Sequence, residues 1–188
     1  MNILKQSMTV VLLAGCFLTL PVLAADKAAG EQKSAICARC HGTGGKSNDA
    51  EYPILAAQQA SYIVNQLKAF KSGNRHNSMM EGMAASLSDD DMDNLAAYFS
   101  SQPATKAGGD AALAKAGQMK AVMCSGCHGE SAAGNGQFPR LAGQHPDYLV
   151  KQLAGFKDGS RKNGQMKAIA TTISEEDMKA LAAYFGSL

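Results

Sequence analysis

The sequence predicts an all-α protein built from two tandem domains of the same fold, and three observations support this. Residues 52–75 align without gaps on residues 138–161 with 12 of 24 positions identical, and residues 76–99 align on 162–185 with 11 of 24. Apolar residues within each repeat recur every three or four positions, the spacing of one buried helix face. No segment alternates apolar and polar residues as a half-buried strand does. The repeat therefore indicates duplication of one helical domain.

The composition narrows the class of protein. The chain has 188 residues, a formal net charge of +2, 6% aromatic residues and no tryptophan. A nearly neutral chain is not typical of nucleic-acid-binding proteins, so we expect no nucleic-acid partner. Domains of about 80 residues with few large side chains usually need a metal, a disulfide or a similar covalent staple.

Residues 1–24 have the three parts of a secretory signal peptide. Lys5 supplies the positive charge, residues 8–20 form an apolar run, and residues 22–24 are a small-residue cleavage site. We therefore expect an exported mature chain that begins at Ala25.

Two alternatives concern this leader. Residues 13–16 resemble a bacterial lipobox, which would place a lipid on Cys16, although the apolar run continues past Cys16. An uncleaved leader could also act as an anchor, but the run is shorter than the roughly 20 apolar residues that span a membrane.

The pattern Cys-x-x-Cys-His occurs twice, at residues 37–41 and 124–128. It is the attachment signature of a c-type haem, in which each cysteine forms a thioether and the adjacent histidine binds the iron. We predict two covalently bound haem c groups, one in each domain. The predicted attachment residues are Cys37, Cys40, Cys124 and Cys127, and the predicted proximal iron ligands are His41 and His128. A structural zinc site is a weak alternative, because zinc-binding Cys-x-x-Cys pairs lie closer together in sequence.

Each repeat contains three predicted helices. The first runs into the haem motif, over about residues 27–38 and 111–125. The second begins near Ala60 and near Pro146, where proline suits the first helical turn. In both repeats this helix is predicted to end at a glycine, Gly73 or Gly159. Glycine commonly terminates helices.

The third helix begins after an N-cap serine, Ser88 or Ser174, which precedes three acidic residues at the positive helix end. The segment before it, with the pattern Arg-x-Asn-x-x-Met, is predicted as a loop. Residues 102–110 are small, polar and contain Gly and Pro, which is typical of a linker. We therefore place the two domains at residues 25–104 and 105–188.

The sixth iron ligand is predicted by requiring that it occur in both repeats. Only two methionine pairs occupy equivalent positions: Met80 with Met166, and Met92 with Met178. Core packing explains the second pair, which lies on the apolar face of the last helix. We predict Met80 and Met166 as axial ligands in loops that fold over the open haem face, with Met79 as the main alternative for the first haem.

His76 and His145 align with Lys162 and Gln59, so we predict them as surface residues and not as ligands. With both axial positions of each iron filled, oxygen and peroxide have no ready binding site, and a thioether ligand favours Fe(II). We therefore expect one-electron cycling of the iron and no catalytic residue.

Several repeated residues have a predicted supporting role. The carbonyl groups of Pro53 and Pro139 either accept the Nδ1 proton of the proximal histidine or only mark turns. The residues that flank the methionine segment either bind haem propionates, brace the segment or are solvated: Arg75, Arg161, Asn77 and Asn163. The first helix of each repeat contains a glycine, Gly30 or Gly117, although glycine is unfavourable inside a helix. We expect each glycine to permit a close crossing with the last helix of its repeat, against Tyr98 and Tyr184 respectively.

Together, the two Cys-x-x-Cys-His motifs, the two Arg-x-Asn-x-x-Met segments and Leu-Ala-Gly-Gln at residues 141–144 before Tyr148 resemble the di-haem cytochrome c4 family over the whole mature chain. The first repeat departs slightly, with Leu-Ala-Ala-Gln at residues 55–58. The resemblance implies two class I cytochrome c domains related by a pseudo-twofold axis, with haem edges facing across the interface.

The same resemblance implies a function. It is that of a periplasmic electron carrier, not an enzyme, that passes electrons from a quinol-oxidising complex toward a haem–copper terminal oxidase. Some members of the family associate with the membrane, so peripheral membrane association is an alternative to a freely diffusing protein.

Two other functions compete with this one. A di-haem electron-transfer subunit of a sulfide- or thiosulfate-oxidising dehydrogenase would need a stable partner chain. A haem enzyme or gas sensor would need one open iron, and Met80 and Met166 argue against it.

The net charge differs between the two predicted domains, at −2 for residues 25–104 and +3 for residues 105–188. Such a dipole either orients the protein on charged redox partners or reflects solvated faces alone.

Overall fold

The structure is a computed structural model that describes residues 25–188, so the predicted signal peptide and Cys16 lie outside the described residues. Within residues 25–188 no strand forms, and two isolated bridges are the only β-type pairings. The all-α prediction is therefore confirmed. The helices are α1 (Lys27–Lys33), α2 (Ala38–His41), α3 (Ala60–Lys71), α4 (Ser78–Ala85), α5 (Asp89–Ser100), α6 (Ala111–Lys120), α7 (Val122–His128), α8 (Pro146–Asp158), α9 (Gly164–Thr171) and α10 (Glu175–Ser187).

The first predicted helix of each repeat is two helices. In the first domain α1 and α2 are separated by residues 34–37, and in the second α6 and α7 are separated by Ala121 alone. Ser34 and Ala121 keep right-handed backbone angles, so the chain turns there without leaving the helical region. The turn places the haem motif on its own short helix.

The loop prediction for Met80 and Met166 is wrong, because both lie in short helices, α4 and α9, which begin at Ser78 and Gly164. Asn77 and Asn163 are the N-caps, and their Oδ1 atoms accept hydrogen bonds from the backbone N–H groups of Met80 and Met166 at 2.9 Å. Each helix has eight residues, about two turns, which is too short for a clear apolar period.

The first and last helices of each domain cross closely at a glycine. Gly30 of α1 packs against the backbone of Asn94 and the Cβ of Tyr98, as expected. Gly117 of α6 packs instead on the backbone of Ala180 and Leu181. Glycine is therefore required at position 117 by the backbone of Ala180, and not by the expected contact with Tyr184. A side chain at either position would force the helices apart.

The polypeptide core of each domain is small. Met92 and Met178 are 0% and 2% exposed, which confirms their packing role in the last helices. The buried apolar cluster of each domain is small, and most residues of the two clusters are alanine, leucine or phenylalanine. Cores of this size give little hydrophobic stabilisation by themselves, which agrees with the need for a covalent staple in each domain.

Candidate haem sites and the domain interface

The two motif histidines lie at the ends of α2 and α7, and both are buried at 7% exposure. His41 Nδ1 donates to the Pro53 carbonyl and His128 Nδ1 donates to the Pro139 carbonyl, each at 2.8 Å. Because a carbonyl only accepts, Nδ1 carries the proton and Nε2 keeps its lone pair. These bonds favour the interpretation that the two prolines orient the histidines over the interpretation that they only mark turns.

The surroundings of both imidazoles favour their neutral form. Burial lowers the pKa of His41 and of His128, and the hydrogen bond to the proline carbonyl opposes this in part. An aromatic ring, Tyr52 or Phe138, meets each imidazole edge-on, with ring centroids 6.2 Å and 6.3 Å apart. A neutral imidazole with a fixed Nδ1–H is the form that binds a metal through Nε2.

The four motif cysteines are part-buried free thiols. Cys37 packs on the core of the first domain and Cys124 on the core of the second. Equivalent part-buried apolar side chains pack against the same core in each domain: Leu55, Val64 and Leu67 in the first domain, and Leu141, Val150 and Leu153 in the second. Thiols, a neutral imidazole and this apolar surface fit a covalently attached haem.

Met80 and Met166 lie in the first turns of α4 and α9 and are part-buried. Met79 is 54% exposed, which favours Met80 as the ligand. In the second domain Gln165 Nε2 donates to Cys127 Sγ at 3.6 Å, so α9 lies directly beside the haem motif. No group of three or more His, Cys, Asp and Glu side chains converges on a metal position within residues 25–188, and the zinc alternative has no support there.

Two repeated glutamines join the domains, and the sequence analysis missed both. Gln144 Oε1 accepts from the Ile54 N–H and Gln144 Nε2 donates to the Ile54 carbonyl, each at 2.9 Å. Reciprocally, Gln58 Oε1 accepts from the Arg140 N–H at 2.7 Å and Gln58 Nε2 donates to the Arg140 carbonyl at 3.0 Å. Identity of these glutamines in both repeats was the signal that could have found them.

The surface prediction for His145 is wrong. His145 is 8% exposed, and its Nε2 donates to the Ser47 carbonyl of the other domain at 3.0 Å. Gln59, its equivalent in the first repeat, donates to the Ala133 carbonyl at 2.9 Å. The two different side chains therefore make the same cross-domain bond. His76 is exposed, as predicted.

Arg75 and Arg161 also bond across the interface, so of the three alternatives stated for them, solvation alone is not supported. Each guanidinium lies over a phenylalanine ring of its own domain, 4.6 Å and 4.4 Å from the centroid. Each then donates across the interface to a tyrosine hydroxyl and a glutamine carbonyl oxygen at 2.8–3.1 Å. The acceptors are Tyr148 and Gln152 for Arg75, and Tyr62 and Gln66 for Arg161. The exchange is symmetric, as expected for two domains related by a pseudo-twofold axis.

Within residues 25–188, no helix has the length and the apolar content needed to cross a bilayer.

Comparison with known proteins agrees with this geometry. The family model described as Cytochrome c matches residues 28–103 and 114–188. Cytochrome c4 of Stutzerimonas stutzeri is 37% identical over 88% of this chain and 90% of its own. A thiosulfate dehydrogenase electron acceptor of Stutzerimonas stutzeri strain A1501 is 37% identical over 81% of this chain and 78% of its own. The crystal structure of reduced recombinant cytochrome c4 from Pseudomonas stutzeri matches with a TM-score of 0.80 at 37% identity, covering 88% of this chain and 100% of that one.

Proposed function

The chain belongs to the di-haem cytochrome c4 family, and we propose that it is a periplasmic carrier that passes electrons from a quinol-oxidising complex toward a haem–copper terminal oxidase. As a member of this family it is an electron-transfer protein with two covalent haem c groups. In this proposal residues 1–24 are removed on export. Residues 25–104 and 105–188 then hold one haem each.

The proposal assigns the same four roles in each domain. Cys37 and Cys40 attach the first haem, and His41 and Met80 are its axial ligands. In the second domain the corresponding residues are Cys124, Cys127, His128 and Met166. When bound, the haem supplies the one-electron couple between Fe(II) and Fe(III). The polypeptide holds the histidine ring through Nδ1 and the methionine through the capped first turn of α4 or α9.

One observation carries the proposal: both buried motif histidines donate Nδ1–H to a proline carbonyl at 2.8 Å, which leaves Nε2 free for iron. A part-buried methionine in a capped helical turn of each domain supplies the second ligand. With a histidine and a methionine holding each iron, no position would be left at which a substrate could bind the iron directly. This favours a carrier over a haem enzyme or a gas sensor.

The second candidate function is electron transfer for a sulfide- or thiosulfate-oxidising dehydrogenase. The similarity to a protein named as a thiosulfate dehydrogenase electron acceptor favours it. The two functions need the same haem ligation but different donors, so the donor is what the experiment must identify.

The test is rapid mixing of the oxidised protein with a quinol-oxidising complex or with thiosulfate dehydrogenase, and of the reduced protein with membranes that contain a haem–copper oxidase. We expect fast reduction by the quinol-oxidising complex and fast reoxidation by the oxidase. Both steps should slow as salt is added, because opposite net charges on the two domains orient the encounter. Reduction by thiosulfate dehydrogenase alone would replace this proposal with the second candidate.

A further inference from the structure

The backbone that holds each proximal histidine is itself held by the other domain. From this we infer that Gln58 and Gln144 are positioning residues that act crosswise, each setting the orientation and basicity of the axial histidine of the opposite haem. The inference rests on the proposed roles of His41 and His128 as iron ligands.

For the first haem the chain of contacts runs through a single peptide plane. The Pro53 carbonyl, which accepts from His41 Nδ1 at 2.8 Å, and the Ile54 N–H, which donates to Gln144 Oε1 at 2.9 Å, belong to one peptide unit. That unit is planar and rigid. Gln144 therefore fixes the direction in which the Pro53 carbonyl points at the histidine.

The same peptide unit also transmits polarisation. A hydrogen bond to the N–H of a peptide makes its carbonyl a better acceptor, because linked hydrogen bonds strengthen one another at low dielectric. Ile54 and Gln144 are buried at 7% and 5% exposure, where this effect is largest. A stronger acceptor at Nδ1 makes the imidazole a more basic ligand, as partners of metal-bound histidine generally do.

The proximal histidine of the second haem is held in the equivalent way. The Pro139 carbonyl accepts from His128 Nδ1 at 2.8 Å, and the Arg140 N–H of the same peptide unit donates to Gln58 Oε1 at 2.7 Å. Gln58 also donates to the Arg140 carbonyl at 3.0 Å. In both domains, the peptide that accepts the hydrogen bond of the proximal histidine is therefore bonded to a glutamine of the other domain.

Each glutamine is fixed at both ends of its amide. Gln144 Oε1 also accepts from the His145 N–H, and Gln58 Oε1 from the Gln59 N–H, each at 3.0 Å. In each glutamine, Oε1 accepts two hydrogen bonds and Nε2 donates one across the interface. Exchanging Oε1 and Nε2 would break these bonds, so the amide has only one orientation that satisfies them. A leucine at position 144 or 58 would leave the backbone N–H and carbonyl groups of Ile54 or Arg140, in the opposite domain, without these partners.

The experiment uses the haem-loaded protein and the variants Gln144→Leu and Gln58→Leu. Hydrogen exchange of each histidine Nδ1–H is measured by NMR in the Fe(II) state, and the two reduction potentials are measured by titration. Gln144→Leu should speed exchange at His41 about tenfold, as expected for loss of about 1.4 kcal/mol of hydrogen bonding. It should also raise the potential of the first haem, because a less basic histidine stabilises Fe(III) less. Gln58→Leu should do the same at His128 and the second haem.

The matched control is Ser61→Ala, since Ser61 Oγ donates to the Gly136 carbonyl across the same interface at 2.8 Å without touching either proline peptide. It should change neither exchange rate. An effect confined to the variant's own domain, an equal effect on both haems, or no effect would overturn the inference. If a leucine variant fails to fold, Gln144→Met or Gln58→Met keeps the side-chain length, and the same crosswise pattern is required of it.

Failure of the underlying ligand assignment would look different. In the oxidised wild-type protein, ring protons of His41 and His128 should show large paramagnetic shifts if both bind iron. Their absence would refute the proposed site before any variant is made, whereas shifted signals with no crosswise effect would refute only the role of the glutamines.

Discussion

Asn163 Oδ1 accepts a hydrogen bond from the Met166 N–H at 2.9 Å, and Asn77 Oδ1 accepts from the Met80 N–H at the same distance. Each proposed iron ligand therefore sits in a helical turn that begins at a side-chain cap. The Asn and Met of the repeated Arg-x-Asn-x-x-Met pattern are thus one structural unit.

We expect Asn163→Ala to weaken this turn by about 1 kcal/mol, the usual effect of losing an N-cap. The methionine–iron absorption band of the second haem should then disappear at a lower temperature than helical circular dichroism does. Asn163→Asp, which retains a capping oxygen, is the control and should behave like wild type. Equal melting of the band in the Ala and Asp variants would contradict the capping role.

Gly117→Ala should destabilise the second domain by about 1–3 kcal/mol, because the added methyl group would meet the backbone of Ala180. Gly82→Ala is a matched control, since Gly82 is also helical but has open space around the added Cβ. It should be neutral or stabilise by about 0.5–1 kcal/mol. Denaturant unfolding measures both, and similar effects of the two substitutions would argue against the close helix crossing.

Tyr62→Phe removes the hydroxyl that accepts from Arg161 Nη2 at 2.8 Å across the interface. Loss of a hydrogen bond to a charged donor should lower the free energy of unfolding by about 1.5–3 kcal/mol. Tyr184→Phe is the control, because the Tyr184 hydroxyl makes no hydrogen bond within the part of the chain that the structure describes. If both variants unfold at the same denaturant concentration as wild type, the arginine–tyrosine exchange does not stabilise the interface.

The pair of Lys33 and Asp91 gives a pH dependence. Lys33 Nζ lies 2.9 Å from Asp91 Oδ1, and this bond together with the Ser88 N–H lowers the pKa of Asp91 to about 2. Since an unfolded aspartate has a pKa of about 3.9, the stabilisation is complete above about pH 4 and is lost as the pH falls toward 2. Solvent screening keeps it below about 1 kcal/mol.

The measurement is the free energy of unfolding of wild type and Asp91→Asn as a function of pH. The difference between them should be constant near neutral pH and shrink on acidification below pH 4. A difference that grows toward low pH would contradict the sign of the shift.

Sequence reasoning reached the features that one repeat encodes by itself. The haem motif and the helix ends at Ser88 and Gly159 are local patterns, and the structure has both helix ends where they were predicted. The carbonyl partner of His41 was one of two stated alternatives. Helices α4 and α9 were missed because two turns give no periodic signal.

The interface was missed for a different physical reason. His145 looks like a polar surface residue in its own repeat, but it is 8% exposed and its Nε2 donates to the Ser47 carbonyl of the other domain. Gln144 acts on Ile54, 90 residues away, and no local pattern encodes that distance. The pairwise identity of Gln58 and Gln144 was visible, but it did not reveal what the side chains touch.

The most direct test of the account is the optical spectrum of the purified protein, oxidised and reduced, with and without carbon monoxide, for wild type, Met80→Ala and Met79→Ala. We expect a methionine–iron charge-transfer band and no response to carbon monoxide in wild type and in Met79→Ala. Met80→Ala should lose about half of the band and bind carbon monoxide at one iron. A reduced wild-type spectrum that shifts with carbon monoxide would mean an open iron and contradict the proposed electron carrier.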